Sequence, residues 1–459
     1  MIRVPSVSMS QSVTDKIPIG IDRHAPSTLI ALSRAATALL VLTLIVIPLD
    51  PFSDLSSPAM AGAWEAGDVI NQASYTLMGL LTLSMIPIAR FRQFLSGFTL
   101  LAIAVVAWLG LSALASQNPE LSLRRLAFTL VVYLTAAAWM LLPRSIRQLS
   151  TILSAFATGV LVLCYAGIVL TPSRTIHQAA DFLEPGLVGD WRGIFGHKNE
   201  AGAVMALMTF FGIFIARTSG KLVGSLVVVG AVAFLIGSHA KTSLFLLPLV
   251  LAVSYLARHS ATLGRLSFYC LTPLVLFNAF AVFAVYSYTM EAILNLAVSD
   301  TSFTGRTDVW QFAIANIRER PVLGHGFMAF WRTDQLLSET PSTDLWANTA
   351  AHSHNGYLDI ALTTGFPGLV LCIAFVVIGP IISYYRYRRS NFRGLAPDAL
   401  AAFLLQIWLF GIYFNCFESA LFDRGNRVWF FLCSAVFGLY YVSRFQFLNG
   451  PPLRGSRPK

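Results

Sequence analysis

The chain has 459 residues, 56% of them hydrophobic and only 12% charged, with a mean hydropathy of +0.67 and a formal charge of +10. A soluble domain carries about 25% charged residues, so this composition excludes a soluble enzyme. One helical crossing of a hydrocarbon core ~30 Å thick needs ~20 apolar residues, and runs of that kind recur along the sequence. The fold class is therefore an all-α polytopic membrane protein.

In chain order, a polar tail covers residues 1–28. Apolar runs follow at 29–49, 69–89, 94–116, 126–143, 149–171, 200–216, 222–237, 242–257, 266–287, 366–385, 398–417 and 428–443, and a second tail covers 444–459. The first run exceeds the 7 to 15 apolar residues of a signal-peptide core, and the cleavage-like Ala59-Met60-Ala61 lies well beyond it, so the first helix is read as uncleaved. About twelve crossings put both tails on one side. Two segments interrupt them on the opposite side, 172–199 within the first nine helices (29–287) and a long loop, 288–356, before the last three (357–443).

With the tails cytoplasmic, that face holds 19 of the 32 basic residues and only Asp15, Asp22 and Asp398 among the acids. This asymmetry follows the positive-inside rule, so the basic excess meets lipid headgroups and calls for no nucleic-acid partner. The five cysteines are odd in number, widely spaced and mostly within apolar runs, which reads as packing without disulfides or a CxxC metal site.

The outer loops carry the chemistry. The first ends Asp190-Trp191-Arg192-Gly193-Ile194-Phe195-Gly196-His197-Lys198-Asn199-Glu200, where Asn199 reads as a helix N-cap and Arg192, His197 and Lys198 gather at the positive helix end. Such an end with nearby cations suits an anion, although a headgroup contact is the plainer reading of Arg192 taken alone. In the long loop, Trp310, Ile314 and Ile317 recur at helical spacing, Thr307 caps and Pro321 stops, which predicts an amphipathic helix over 308–319 with Arg306 just before it. Pairing of Arg306 with a loop carboxylate, such as Asp308 or Asp300, is the alternative. Gly324-His325-Gly326 reads as a turn, and Asn355 as a second cap with His354 ahead of it. Histidine suits proton transfer at neutral pH, and a hydrogen-bonded surface residue is the plainer reading of His354. His352-x-His354 has no HExxH or DxD companion, so no metal is expected; nor is a cofactor, since no GxxxxGK[ST] motif is present.

Together, Arg192 with Gly196-His197-Lys198-Asn199, Gly305-Arg306 followed by Trp310 and Pro321-Val322-Leu323-Gly324-His325-Gly326, and His354-Asn355 with Gly365 and Gly368 resemble the O-antigen ligase and Wzy-type polysaccharide polymerase superfamily. Gly196-His197-Lys198-Asn199 and His354-Asn355-Gly356-Tyr357-Leu358-Asp359 resemble most its exopolysaccharide-polymerase branch in alphaproteobacteria. The resemblance implies a GT-C-like, metal-independent glycosyltransferase of the bacterial inner membrane with its active face in the periplasm. It would move glycan from an undecaprenyl-pyrophosphate-linked oligosaccharide to an acceptor glycan, beside a flippase and a chain-length regulator. By the same resemblance Arg192 and Arg306 bind the pyrophosphate, His354 is catalytic, and Lys198, His197 and Asn355 are accessory. An O-antigen ligase acting on lipid A-core and a lipid-linked sugar transporter are the alternative readings.

Overall fold

The computed structural model describes residues 28–56, 69–181, 185–287, 306–331, 333, 350–446 and 448. Both tails almost entirely, Ala59-Met60-Ala61, Gly305 and much of the long loop lie outside them. Among the described residues the regular structure is helical, with one isolated antiparallel bridge between Ile176 and Trp191.

Each drawn run lies on a helix. These are Thr28–Val46 (α1), Val69–Ser84 (α2), Leu100–Leu114 (α4, after the short Ile88–Gly97, α3), Pro119–Ala138 (α5) and Ile146–Leu170 (α6). Lys198–Thr218 (α7), Lys221–Gly237 (α8), Lys241–His259 (α9) and Leu263–Tyr286 (α10) follow. After Arg306–Glu319 (α11), Gly356–Ile373 (α12) passes through a π-turn into Gly379–Arg388 (α13), and Leu395–Phe414 (α14) and Arg427–Arg444 (α15) close the chain. Eight helical stretches among the described residues are each long and apolar enough to cross a membrane, or nine if α2 and α3 form one bent span. α4 and α8, at 15 and 17 residues, fall short of a full crossing on their own.

The structure redraws the second and third runs. α2 ends at Ser84, and α3 leaves at 120° to it just after Pro87, where the missing N–H and restricted preceding residue break the helix. α3 lies across one end of the bundle, its Arg90 donating to the carbonyls of Leu141, Pro143 and Arg144. Arg388 likewise covers the carbonyls of Ala257 and Ser260 at the same end. Arginine thus satisfies the orphaned C-terminal carbonyls of neighbouring helices on the side that the charge pattern makes basic.

α7, α14 and α15 are buried along most of their length, around Phe210, Phe211, Trp408 and Trp429, whereas α10 is largely exposed. A smaller core lies beside the outer loops: Val309, Ala313 and Ile317 of α11 pack with Phe330, Trp331, Ala361 and Leu362. The predicted amphipathic helix over 308–319 is α11; of the expected stripe, Ile317 faces this core while Trp310 packs against Ala281 of α10, and Arg306 and Thr307 lie within the helix rather than before it.

Gly356–Arg388 is 33 residues long, about 50 Å as a straight helix, which exceeds the hydrocarbon thickness. Gly365 (φ +72°) divides it. The carbonyls freed at the break are recovered by neighbours: Leu362 O accepts from His325 N (3.0 Å), Thr363 O from Gly326 N (3.0 Å) and Ser112 Oγ (2.8 Å), and Thr364 O from Trp108 Nε1 (2.8 Å). Phe366 N in turn donates to Pro321 O at 2.8 Å. The Gly324-His325-Gly326 turn is therefore a clamp on a broken helix, and Gly365 leaves room for the backbone of Val322 where a Cβ would collide.

Candidate active site

Asn355 caps α12, its Oδ1 accepting from Tyr357 N (3.0 Å) and Leu358 N (3.1 Å), as the sequence indicates. Its Nδ2 donates to Asn278 Oδ1 of α10 at 3.2 Å and to Cys416 O at 3.3 Å, tying the cap to α10 and to the loop after α14. Ser353 is fixed on both sides: its N–H meets Asp359 Oδ1 at 3.1 Å, its carbonyl accepts from Trp310 Nε1 at 2.9 Å, and its hydroxyl donates to Asn355 O. His354, between these two, has φ +53°. A non-glycine residue in this region costs about 1–2 kcal/mol, tolerated where the surroundings over-determine the turn.

That turn aims the imidazole at Glu418. His354 Nδ1 lies 3.0 Å from Glu418 Oε2, and Arg306 Nη2 donates to Oε1 at 3.1 Å while its Nη1 donates to Phe417 O at 2.7 Å. Arg306 is 4% exposed, the Glu418 side chain 13% and the His354 side chain 22%. Burial pushes the Glu418 carboxyl up, but Arg306 and then His354 outweigh it and hold the group well below the ordinary carboxylate range. An ionised carboxylate only accepts, so the hydrogen between the two is donated by His354 Nδ1. The sequence reading did not include Glu418, whose importance comes from residues 64 and 112 positions away.

The depressed value sets a sign. Glu418 contributes stability that is fully present above the ordinary glutamate value near ~4.3 and is lost as pH falls through the lower folded value. In thermal melts of the purified protein, the lead of wild type over Glu418→Gln at pH 7 is expected to persist to pH 5 and to shrink only below about 4. A lead that vanished between pH 7 and 5 would contradict an ionised, paired Glu418.

His352, His354 and Glu418 each place one donor atom within 4.8 Å of the others, the arrangement among the described residues that could hold a metal ion. Arg306 already faces Glu418, so an added divalent ion would bring a second cation against one carboxylate. EDTA treatment should leave turnover within about twofold; loss that a divalent ion restores would make this trio a metal centre.

The other sequence candidates lie along residues 172–199. Here His197, not Asn199, is the N-cap of α7, its Nδ1 accepting from Asn199 N at 3.0 Å; the helix starts at Lys198, two residues earlier than a cap at Asn199 would place it. Lys198 is buried and gives its charge to Asp190 Oδ2 at 2.6 Å, with His239 on the other oxygen at 2.7 Å. Arg192 is 1% exposed. It donates from Nη1 to Phe195 O (3.0 Å) and from Nη2 to Ser53 O (2.8 Å), and its buried Nε has no hydrogen-bond partner. Burial lowers its pKa, opposed by Asp181 nearby.

The structure thus brings Arg306 and His354 together on one carboxylate, whereas Arg192 belongs to a separate group with Phe195 and Ser53. Arg427 links the two: it pairs with Glu200, sits 5.5 Å over the Phe195 ring and opens the helix that follows the Glu418 loop.

Residues 203–373, which span α7 to the end of α12, match the family described as O-Antigen ligase. Over those residues, less than half of the chain, the protein is similar to that family. The matched stretch includes Arg306, His354 and the Gly365 break, while Arg192 and Glu418 flank it. A relative, the exopolysaccharide production protein ExoQ of Rhizobium meliloti (strain 1021), is 25% identical over 299 residues, which cover 61% of this chain and 62% of that protein. The chain therefore spans less than two thirds of the relative's length. Both findings agree with the resemblance carried by the loop motifs, including its exopolysaccharide branch.

Proposed function

We propose that the protein is a periplasmic-face glycosyltransferase of the inner membrane that extends exopolysaccharide or O-antigen chains, taking glycan from an undecaprenyl-pyrophosphate-linked oligosaccharide. The observation that carries this reading is the Arg306–Glu418–His354 arrangement at the loop end of the bundle. The sugar-phosphate bond of the donor supplies the driving force. The acceptor hydroxyl oxygen attacks the anomeric carbon, its proton passes to His354 Nε2, and the anomeric C–O bond breaks with its electron pair leaving on the lipid diphosphate. One displacement inverts the anomeric configuration.

Glu418 holds the imidazole by Nδ1 and stabilises the imidazolium that forms, much as a buried carboxylate does for the histidine of a hydrolase triad. Arg306 keeps Glu418 ionised and brings positive charge to the site. Arg192 is the second cation of the leaving group: a buried guanidinium with an unsatisfied Nε and only carbonyl hydrogen-bond partners has strong reason to accept an anion. Each charge-assisted hydrogen bond to the departing diphosphate contributes about 1.5–3 kcal/mol. Lys198, satisfied by Asp190, and His197, which caps α7, support the Arg192 loop.

The test is purified protein given undecaprenyl-pyrophosphate-linked oligosaccharide, with lipid A-core as competing acceptor. Ladders of longer lipid-linked chains are the expected product, and Arg192→Ala should reduce them at least tenfold. A single band on lipid A-core would make the protein a ligase. Flipping without new glycosidic bonds would make it a transporter.

A further inference from the structure

α2 and α5 touch at Gly79, where a Cβ would stand 2.9 Å from Val131 Cγ1 and 3.3 Å from Thr135 Oγ1. Toward the loop end from that contact lies a membrane-facing groove of about 400 Å³, lined by Gln72, Ala73, Thr76, Leu77, Leu80 and Phe128. The lining is apolar but for one amide and one hydroxyl. One helical turn above Phe128, toward the loops, stands the exposed Arg124. Arg125 lies near enough to Arg124 and to Arg424 to be repelled by each, with Asp423 the carboxylate beside Arg125 and Arg424. Glu120, one turn further out, makes no ion pair with Arg124 among the described residues, and the patch stays net positive. The N-terminus of α5, capped by Asn118, adds its positive dipole end. A comparable apolar groove on α10, lined by Gly264 to Leu276, lies toward the opposite end of the bundle and has no such patch of loops above it.

Arg424 and Glu418 belong to one loop, between α14 and α15. Arg125 also reaches the other side of the site, donating to Met328 O just beyond the Gly324-His325-Gly326 clamp. The groove is therefore a shallow, open apolar strip in the outer half of the bundle, with the Arg124–Arg125 end of α5 beyond it, and Arg424 shares with Glu418 the loop between α14 and α15. Apolar chain below and anionic head above is the chemistry of a long-chain lipid phosphate. Resting on the function proposed above, we infer that the α2–α5 groove seats the polyprenyl tail of the lipid diphosphate substrate, with Arg124 and Arg424 against its diphosphate as it enters or leaves.

Native mass spectrometry of the full chain in detergent micelles, with undecaprenyl diphosphate as probe and phosphatidylglycerol as competitor, tests this. Wild type should bind the probe in preference to phosphatidylglycerol. Leu77→Trp, which fills the groove from a position 69% exposed and so spares the core, should weaken binding at least tenfold, as should Arg124→Ala combined with Arg424→Ala. Leu276→Trp, in the α10 groove at the opposite end and 61% exposed, should bind as wild type does. Unchanged binding in both groove variants, or equal uptake of phosphatidylglycerol, would overturn the inference. The two proposals fail separately: glycan ladders with groove-independent lipid binding would sink the groove alone, whereas groove-dependent binding without any glycan transfer would sink the function alone.

Discussion

Replacing Glu418 by glutamine should lower glycan coupling by about 10²- to 10³-fold while the protein remains inserted. The amide keeps the shape of the carboxylate but loses its charge, leaving Arg306 buried without its counter-ion and His354 without the acceptor that fixes its tautomer. Removing one partner of a buried ion pair costs about 3–5 kcal/mol, since the remaining charge is left uncompensated. Part of that appears as lower stability and part as lost turnover. Aspartate restores the charge but draws it back by one methylene, so Glu418→Asp should recover some activity and the wild-type pH dependence of stability. Activity in Glu418→Gln within threefold of wild type would reduce Glu418 to a packing residue.

The second large effect is expected at His354. Asparagine is the informative substitution because it tolerates the left-handed conformation at φ +53° and leaves the clamp of Ser353 and Asn355 intact. A positioned general base contributes about 10²- to 10⁴-fold, so His354→Asn should lose turnover over that range while binding of the lipid-linked donor changes little. Equal losses in donor affinity and turnover would assign His354 to substrate binding.

How far these residues could be read from the sequence depended on the range of the interaction involved. α11 was legible because the spacing of Trp310, Ile314 and Ile317 is local, and its start differs by two residues. Asn355 was legible because a cap bonds to the amides two and three residues ahead. The cap of α7 was misplaced by two residues, from His197 to Asn199, because asparagine is the commoner cap and imidazole a rarer one. The break after α2 required knowing that Pro87 would end a run whose hydropathy continues. Glu418 carried no local signal beyond being a carboxylate in a short loop on the same side as the cations. Its meaning comes from tertiary packing that brings α11, the turn before α12 and the α14–α15 loop to one point.

The central claim is that His354, held by Glu418, passes a proton while a lipid diphosphate departs. In proteoliposomes loaded with undecaprenyl-pyrophosphate-linked oligosaccharide, the released lipid diphosphate and the new glycosidic bonds can be counted together. The account predicts one of each per turnover in wild type and neither above background in His354→Asn. Wild-type rates of both in His354→Asn would contradict it.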